Sequence, residues 1–114
     1  MSFDYKLPPE LEVEVDGPIR LVRLNRPEQL NATNHELHRG LAELFPQIDA
    51  DDEARAVVIT GNGRAFSAGG DFGYIDDLSR DAELRRESLD HGRQIVTGMV
   101  RYSGVPVTVE PAHR

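Results

Sequence analysis

The sequence predicts a mixed α/β domain. Three stretches carry that expectation: the alternating segment LEVEV (11–15) with IRLVRL (19–24) after it, the unbroken apolar run in RAVVIT (55–60), and Leu37, Leu41, Leu44, Phe45 and Ile48 recurring at helical spacing between them. Alternation marks a strand with one face in water, and an unbroken run marks a strand covered on both faces, as in parallel or mixed sheets with helices laid over them.

At 114 residues the chain is the size of one domain with a small core. Thirteen Lys and Arg against 20 Asp and Glu give a net charge of −7, which repels nucleic acid and anionic membrane surfaces. With no cysteine, disulfide scaffolds and thiolate metal sites are excluded. Apolar runs are only a few residues long, and MSFDYKLPPE has neither a basic flank nor an apolar stretch. The expectation is therefore a cytoplasmic protein without a secretion signal or a membrane span.

Residues 1–10, with Pro8-Pro9, read as an irregular arm. Asp16-Gly17-Pro18 is a turn signal that joins the first two strands into a hairpin. NRPEQLNA (25–32) is a polar connector, and Thr33-Asn34-His35-Glu36 has the form of a capping box that starts a helix. Pro46 lacks a backbone donor and clashes with the preceding turn, so the helix is expected to kink or end near Phe45. DADDEA (49–54) reads as a solvated acidic turn, without the glycine and ligand spacing of a calcium loop.

After the strand at 55–60 comes the loop GNGRAFSAGGDF (61–72), then a short helix around FGYIDDL and a longer one from about Asp81 to Tyr102. Leu84, Leu89, Val96, Met99 and Val100 are expected on its buried side. VPVTV (105–109) offers one more strand, stopped by Pro111, so the order β-β-α-β-loop-α ends in mid-pattern.

The glycine loop has almost no side chain for chemistry, and several motifs fail on it. A P-loop needs Gly-Lys-Ser/Thr, and the loop has no Lys. A dinucleotide fingerprint needs a third glycine where Phe66 stands, and a nucleophile elbow at Ser67 needs glycine where Ala65 stands. Two readings remain. The loop is either a tight turn whose Asp71 caps the next helix, or a cradle whose backbone N–H groups hold an anion or polarised carbonyl. His35, His38, His91 and Glu110 read as solvated surface, His113 belongs to the terminal tail, and no metal ligand set is recognised.

IRLVRLNRPEQLNA, a helix, and RAVVITGNGRAFSAGGDF, in this order and separation, resemble the N-terminal half of the enoyl-CoA hydratase/isomerase, or crotonase, superfamily. The resemblance spans residues 11–107 and leaves 108–114 as a divergent tail. It implies a truncated ββα spiral of the ClpP/crotonase type, acyl-CoA thioester substrates, no cofactor beyond the coenzyme A of the substrate, and homo-oligomers, trimeric or hexameric. By the same similarity, the backbone N–H of Gly70 is one of two oxyanion donors, Ala68 borders the pantetheine or adenine, and Phe72 and Ile75 line the acyl path. Arg26, Leu30 and Ala32 lie along the coenzyme, and Asp71 in the loop counts among the substrate-binding residues; many relatives carry a basic residue near Leu30, which this chain lacks.

The family's second donor follows a P-V/I-x-A-A-V-N-G strand and precedes the acid/base glutamates, whereas this chain passes from Val105-Pro106-Val107 into TVEPAHR. The resemblance thus implies a chain that does not hydrate or isomerise enoyl-CoA by itself. The alternative is a non-catalytic acyl-CoA-binding or oligomerising module.

Overall fold

The computed structural model describes residues 3–101 and 106–109, with the side chains of residues 100, 101 and 109 left aside. Strands β1 (Leu11–Asp16) and β2 (Ile19–Leu24) form the expected antiparallel hairpin, with Leu11 opposite Leu24 and Asp16 opposite Ile19. Gly17 makes the tight turn with φ 56°, a torsion that costs glycine nothing. Helix α1 (His35–Ala50) then crosses over to β3 (Ala56–Gly61), which pairs parallel with β2. Helices α2 (Phe72–Arg80) and α3 (Ala82–Arg101) lead to β4 (Val107–Val109), parallel to β3. The sheet order is β1-β2-β3-β4, and β4 straddles the boundary drawn at residue 107. Tyr102, Val105, Glu110, Pro111 and His113 lie outside the described residues.

One face of the sheet meets α1. Val22, Leu24, Val57 and Ile59 pack against Leu37, Leu44, Phe45 and Ile48 in a single buried cluster closed by Leu11 and Ala54. Removing such side chains from water at about 25 cal/mol per Å2 of apolar area is the main term holding the layers together.

Several expectations are corrected. The capping box does not form: Asn34 is the N-cap, and its side chain accepts from the Leu37 amide at 2.9 Å. Thr33 is occupied elsewhere, its amide bonded to the Gly69 carbonyl. Of the two outcomes expected at Pro46, the early end does not occur, since α1 runs on to Ala50. Phe45 and Ile48 on either side of it are locked in the core, and the Gln47 side chain donates to the Glu43 carbonyl at 3.0 Å, bracing the turn that proline weakens.

The acidic turn is not wholly solvated. Asp51 is buried and accepts from Arg20 Nε at 2.7 Å and from the Tyr5 hydroxyl. The Arg20 hydrogen bond holds the Asp51 carboxyl below the usual carboxylate range, with the Tyr5 bond adding to it. Burial, then the bond to Asp51, pushes Tyr5 up to about 12. Residues 3–10 of the arm are thereby tied to the sheet through Tyr5.

Helix α3 also turns a different side inward. Of the five residues expected there, Leu89 and Val96 are 68% and 63% exposed and Met99 is exposed too, Leu84 is half-buried, and the Val100 side chain lies outside the described residues. Ile95 and the buried Gly98 face α1 instead. A Cβ on Gly98 would stand 2.4 Å from Phe45 Cβ, so the absence of a side chain sets how closely the two helices approach.

Candidate functional site

Because β2 and β3 are parallel, the segments that follow them, residues 25–34 and 62–71, leave the sheet at the same edge. Carboxyl ends of parallel strands are where open α/β sheets place ligands. The first segment makes a 3-10 turn, Pro27–Gln29, and then holds Leu30 and Asn31 at φ 52° and 56°. Two consecutive left-handed residues reverse the chain, so that residues 30–33 run out beside the glycine loop.

Asn31 is what joins the two segments. Wholly buried, its Oδ1 accepts from the Arg26 amide at 2.7 Å, while Nδ2 donates to the carbonyls of Asn62 and Ala65, each at 2.8 Å. Sequence reasoning missed it. The available signal was an asparagine, the residue that best tolerates left-handed torsion after glycine. Gly61 is needed at the same point, since a Cβ there would lie 2.5 Å from the Ala65 carbonyl oxygen and 2.7 Å from Asn31 Nδ2.

The glycine loop is laid parallel to residues 30–33. Ala68 N–H donates to the Leu30 carbonyl at 2.9 Å, Thr33 N–H to the Gly69 carbonyl at 2.7 Å, and Asp71 N–H to the Thr33 carbonyl at 2.8 Å. Ser67 Oγ donates to the Asn31 carbonyl at 2.9 Å and accepts from the Gly69 amide at 3.2 Å. Ser67 thus braces the loop from within. In the bridge between Thr33 and Gly70, the hydrogen bonds belong to the residues flanking Gly70, so its own N–H faces away from Thr33. Among the described residues that amide has no hydrogen-bond partner, whereas those of residues 68, 69 and 71 all do.

Asp71 caps α2, its Oδ1 accepting from the Tyr74 amide at 3.0 Å, as the turn reading expects. The Tyr74 amide and then the Arg26 guanidinium hold its carboxyl below the usual range. The turn and cradle readings are therefore compatible: one loop contains both a capped helix start and a free amide.

A groove of about 410 Å3 opens along this seam, lined by Glu28, Gln29, Leu30, Ala32, Ala68, Gly70, Asp71 and Phe72. Of the residues singled out in the sequence, Leu30, Ala32, Ala68, Gly70, Asp71 and Phe72 come together there. Ile75 stands next to them, its Cδ1 3.0 Å from where a Gly70 Cβ would be. Arg26 does not line the groove. Its guanidinium bonds the Ala32 carbonyl and reaches the Asp71 carboxylate at 3.3 Å, and it borders a separate depression of about 380 Å3 across the 3-10 turn. Phe72 is 90% exposed, an apolar ring at the groove mouth. The three helical histidines read as surface instead gather between the N-terminus of α1 and α3, beside Tyr74.

A family model described as enoyl-CoA hydratase/isomerase matches residues 14–100 of this chain. The chain belongs to that family. Among curated relatives, it is 46% identical over 57 residues to 1,2-epoxyphenylacetyl-CoA isomerase of Escherichia coli, covering 50% of this chain and 22% of that one. It is 40% identical over 74 residues to the mitochondrial Delta(3,5)-Delta(2,4)-dienoyl-CoA isomerase of Mus musculus, covering 65% and 21%.

The fold agrees. A crystal structure of an enoyl-CoA hydratase/isomerase from Mycobacterium paratuberculosis superposes with a TM-score of 0.90 at 51% identity, over 94% of this chain and 43% of that one. A putative enoyl-CoA hydratase from Streptomyces coelicolor gives 0.80 at 28% identity, over 97% and 43%. The crotonase-type fold is thus present as a part. The chain spans about a fifth of the curated relatives and two fifths of these solved structures.

Proposed function

We propose that this chain is the thioester-binding half of an enoyl-CoA hydratase/isomerase site, in which the Gly70 amide donates to the carbonyl oxygen of an acyl-CoA. The observation that carries the reading is that amide, the one in the 68–71 stretch without a partner among the described residues, placed on the wall of an open groove. Adding water to an enoyl thioester, or moving its double bond, builds negative charge on the carbonyl oxygen. Preorganised amides aimed at that oxygen stabilise it, and one such donor is worth about 3 kcal/mol in comparable oxyanion holes.

Leu30, Ala32 and Ala68 form the small apolar wall along which the pantetheine would run, and Phe72 and Ile75 flank the acyl end. Proton transfer needs a titrating group within hydrogen-bond reach. The groove offers Asp71, whose carboxylate is already engaged by Tyr74 and Arg26, and Glu28, which is exposed and without a hydrogen bond among the described residues. The reading is therefore binding without turnover by this chain alone. The exposed side chains of Leu89 and Val96 on α3 support self-association as a further part of it.

The test compares crotonyl-CoA with an S-alkyl coenzyme A thioether, which lacks the carbonyl, by titration calorimetry. The thioester should bind about fivefold more tightly, the scale of one hydrogen bond of ~1 kcal/mol. Gly70→Pro, which deletes the N–H, should erase that difference, while Gly70→Ala retains it because only the flexible Ile75 tip must move. Equal affinity for the two ligands would overturn the reading, and saturable loss of enoyl-thioester absorbance would overturn the absence of turnover. Light scattering that gives a monomer mass would remove self-association.

A further inference from the structure

A second cluster of chemistry-bearing side chains lies between the helices, on residues that the groove does not use. His35 is the first residue of α1, and Glu87 and His91 are four apart on α3, one turn along the same face. One ligand atom from each of the three lies within 4.8 Å of the others. His35 Nε2 is 3.4 Å from Glu87 Oε1, and the His35 and His91 rings are 5.9 Å apart.

An ion pair between His35 and Glu87 does not account for the arrangement. It leaves His91 outside, and the Nδ1 atoms of both His35 and His91 are buried with no hydrogen-bond partner among the described residues. An unpaired buried polar atom is costly, and with His35 already facing Glu87 through Nε2, the unsatisfied Nδ1 of the neighbouring His91 points to something that accepts a nitrogen lone pair. We propose that His35, Glu87 and His91 form a binding site for a divalent transition-metal ion of the Zn2+ class.

The geometry fits that chemistry. Bonds of about 2.0–2.2 Å to tetrahedral zinc set ligand atoms about 3.3 Å apart, and the His35–Glu87 pair already stands at 3.4 Å. The His91 ligand atom, within 4.8 Å of the other two, must close by no more than about 1.5 Å to join them. Two imidazoles and one carboxylate suit zinc and its neighbours, whereas calcium and magnesium take oxygen ligands. Glu87 is half exposed and His35 a quarter exposed, so an ion reaches the site from solvent, and a fourth position stays open to water. Such an ion joins the start of α1, next to the cap Asn34, to the middle of α3.

The test is titration of the full chain with Zn2+ and with Co2+, whose visible absorption reports coordination. One ion per chain is expected, with Mg2+ unable to compete. His35→Ala, Glu87→Gln and His91→Ala should each weaken Co2+ binding at least tenfold, while His113→Ala and His38→Ala leave it within twofold. In the unsubstituted chain, Co2+ should broaden the ring-proton signals of His35 and His91, a readout that survives even if a variant fails to fold. Sub-stoichiometric binding, loss of binding in the His113 or His38 variant, or unbroadened His35 and His91 signals would overturn the proposal.

Discussion

Replacing Asn31 with alanine removes the side chain that joins the two walls of the groove. Three hydrogen bonds go with it, from the Arg26 amide and to the Asn62 and Ala65 carbonyls. At about 1 kcal/mol each for neutral bonds their loss comes to about 3 kcal/mol. Alanine must also hold the left-handed φ of 56°, which adds about 1 kcal/mol. The sum, about 4 kcal/mol, is a large part of the 5–15 kcal/mol that keeps an ordinary domain folded. Asn31→Gly loses the same bonds but tolerates the torsion, so it should be about 1 kcal/mol less damaging. Urea unfolding followed by far-UV circular dichroism measures both. With a slope of about 1–3 kcal/mol per M, the alanine variant should unfold more than about 1 M earlier than the parent chain. An alanine variant within 1 kcal/mol of the parent would refute the idea that this carboxamide holds the groove together, and a glycine variant no better than alanine would refute the torsional part.

Gly98→Ala places a Cβ 2.4 Å from Phe45 Cβ and 2.8 Å from its Cγ, so α1 and α3 must separate; a loss of about 1–3 kcal/mol, seen as a lowered melting temperature, is expected. Gly69→Ala meets nothing within 4 Å but must hold φ 102°, and should cost about 1–3 kcal/mol through torsion alone, with thioester affinity falling alongside stability. Asp51→Asn leaves the buried Arg20 guanidinium without its counter-charge and should destabilise by about 3–5 kcal/mol in the same urea assay. The Asp51 carboxyl is depressed in the folded chain. Its contribution is therefore complete above the unfolded value of about 3.9 and is lost as pH falls through the lower folded value. Tyr5, raised to about 12, acts at the other end: its contribution is complete below about 10 and is lost as pH rises from there towards 12. Stability against pH should thus decline on both flanks, and a shallower acid flank in the Asp51→Asn chain identifies the share of that carboxyl, the remainder falling to Asp71, which is likewise depressed.

The strands were legible because each carries a local signal: alternation in LEVEV, an unbroken run in AVVIT, and Gly17 at the turn. Six of the residues along the groove were named only through the family resemblance that two short motifs carry, and Glu28 and Gln29 beside them gave no signal. What escaped depended on contacts between distant parts of the chain. Thr33 looks like a cap until the glycine loop takes its amide, and Asn34 then caps instead. Asp51 looks solvated until Arg20 and Tyr5 close over it from positions 31 and 46 residues away. The apolar positions of α3 gave the wrong inner side, since a glycine at 98 marks the close approach to Phe45 and carries no hydrophobic signal at all. His35 and His91 are 56 positions apart in sequence, and only the packing of α1 on α3 makes them neighbours.

Helix start, cap and crevice meet in one carboxylate. Asp71 holds the Tyr74 amide with one oxygen and the Arg26 guanidinium with the other, so the orientation of α2 and the curvature of the 3-10 turn are mechanically one unit. Any molecule that pries the crevice wider must therefore tilt α2 as it enters. Its arrival should be visible beyond the crevice itself, in the surroundings of Tyr74 and of Ser88, to which the Tyr74 hydroxyl donates.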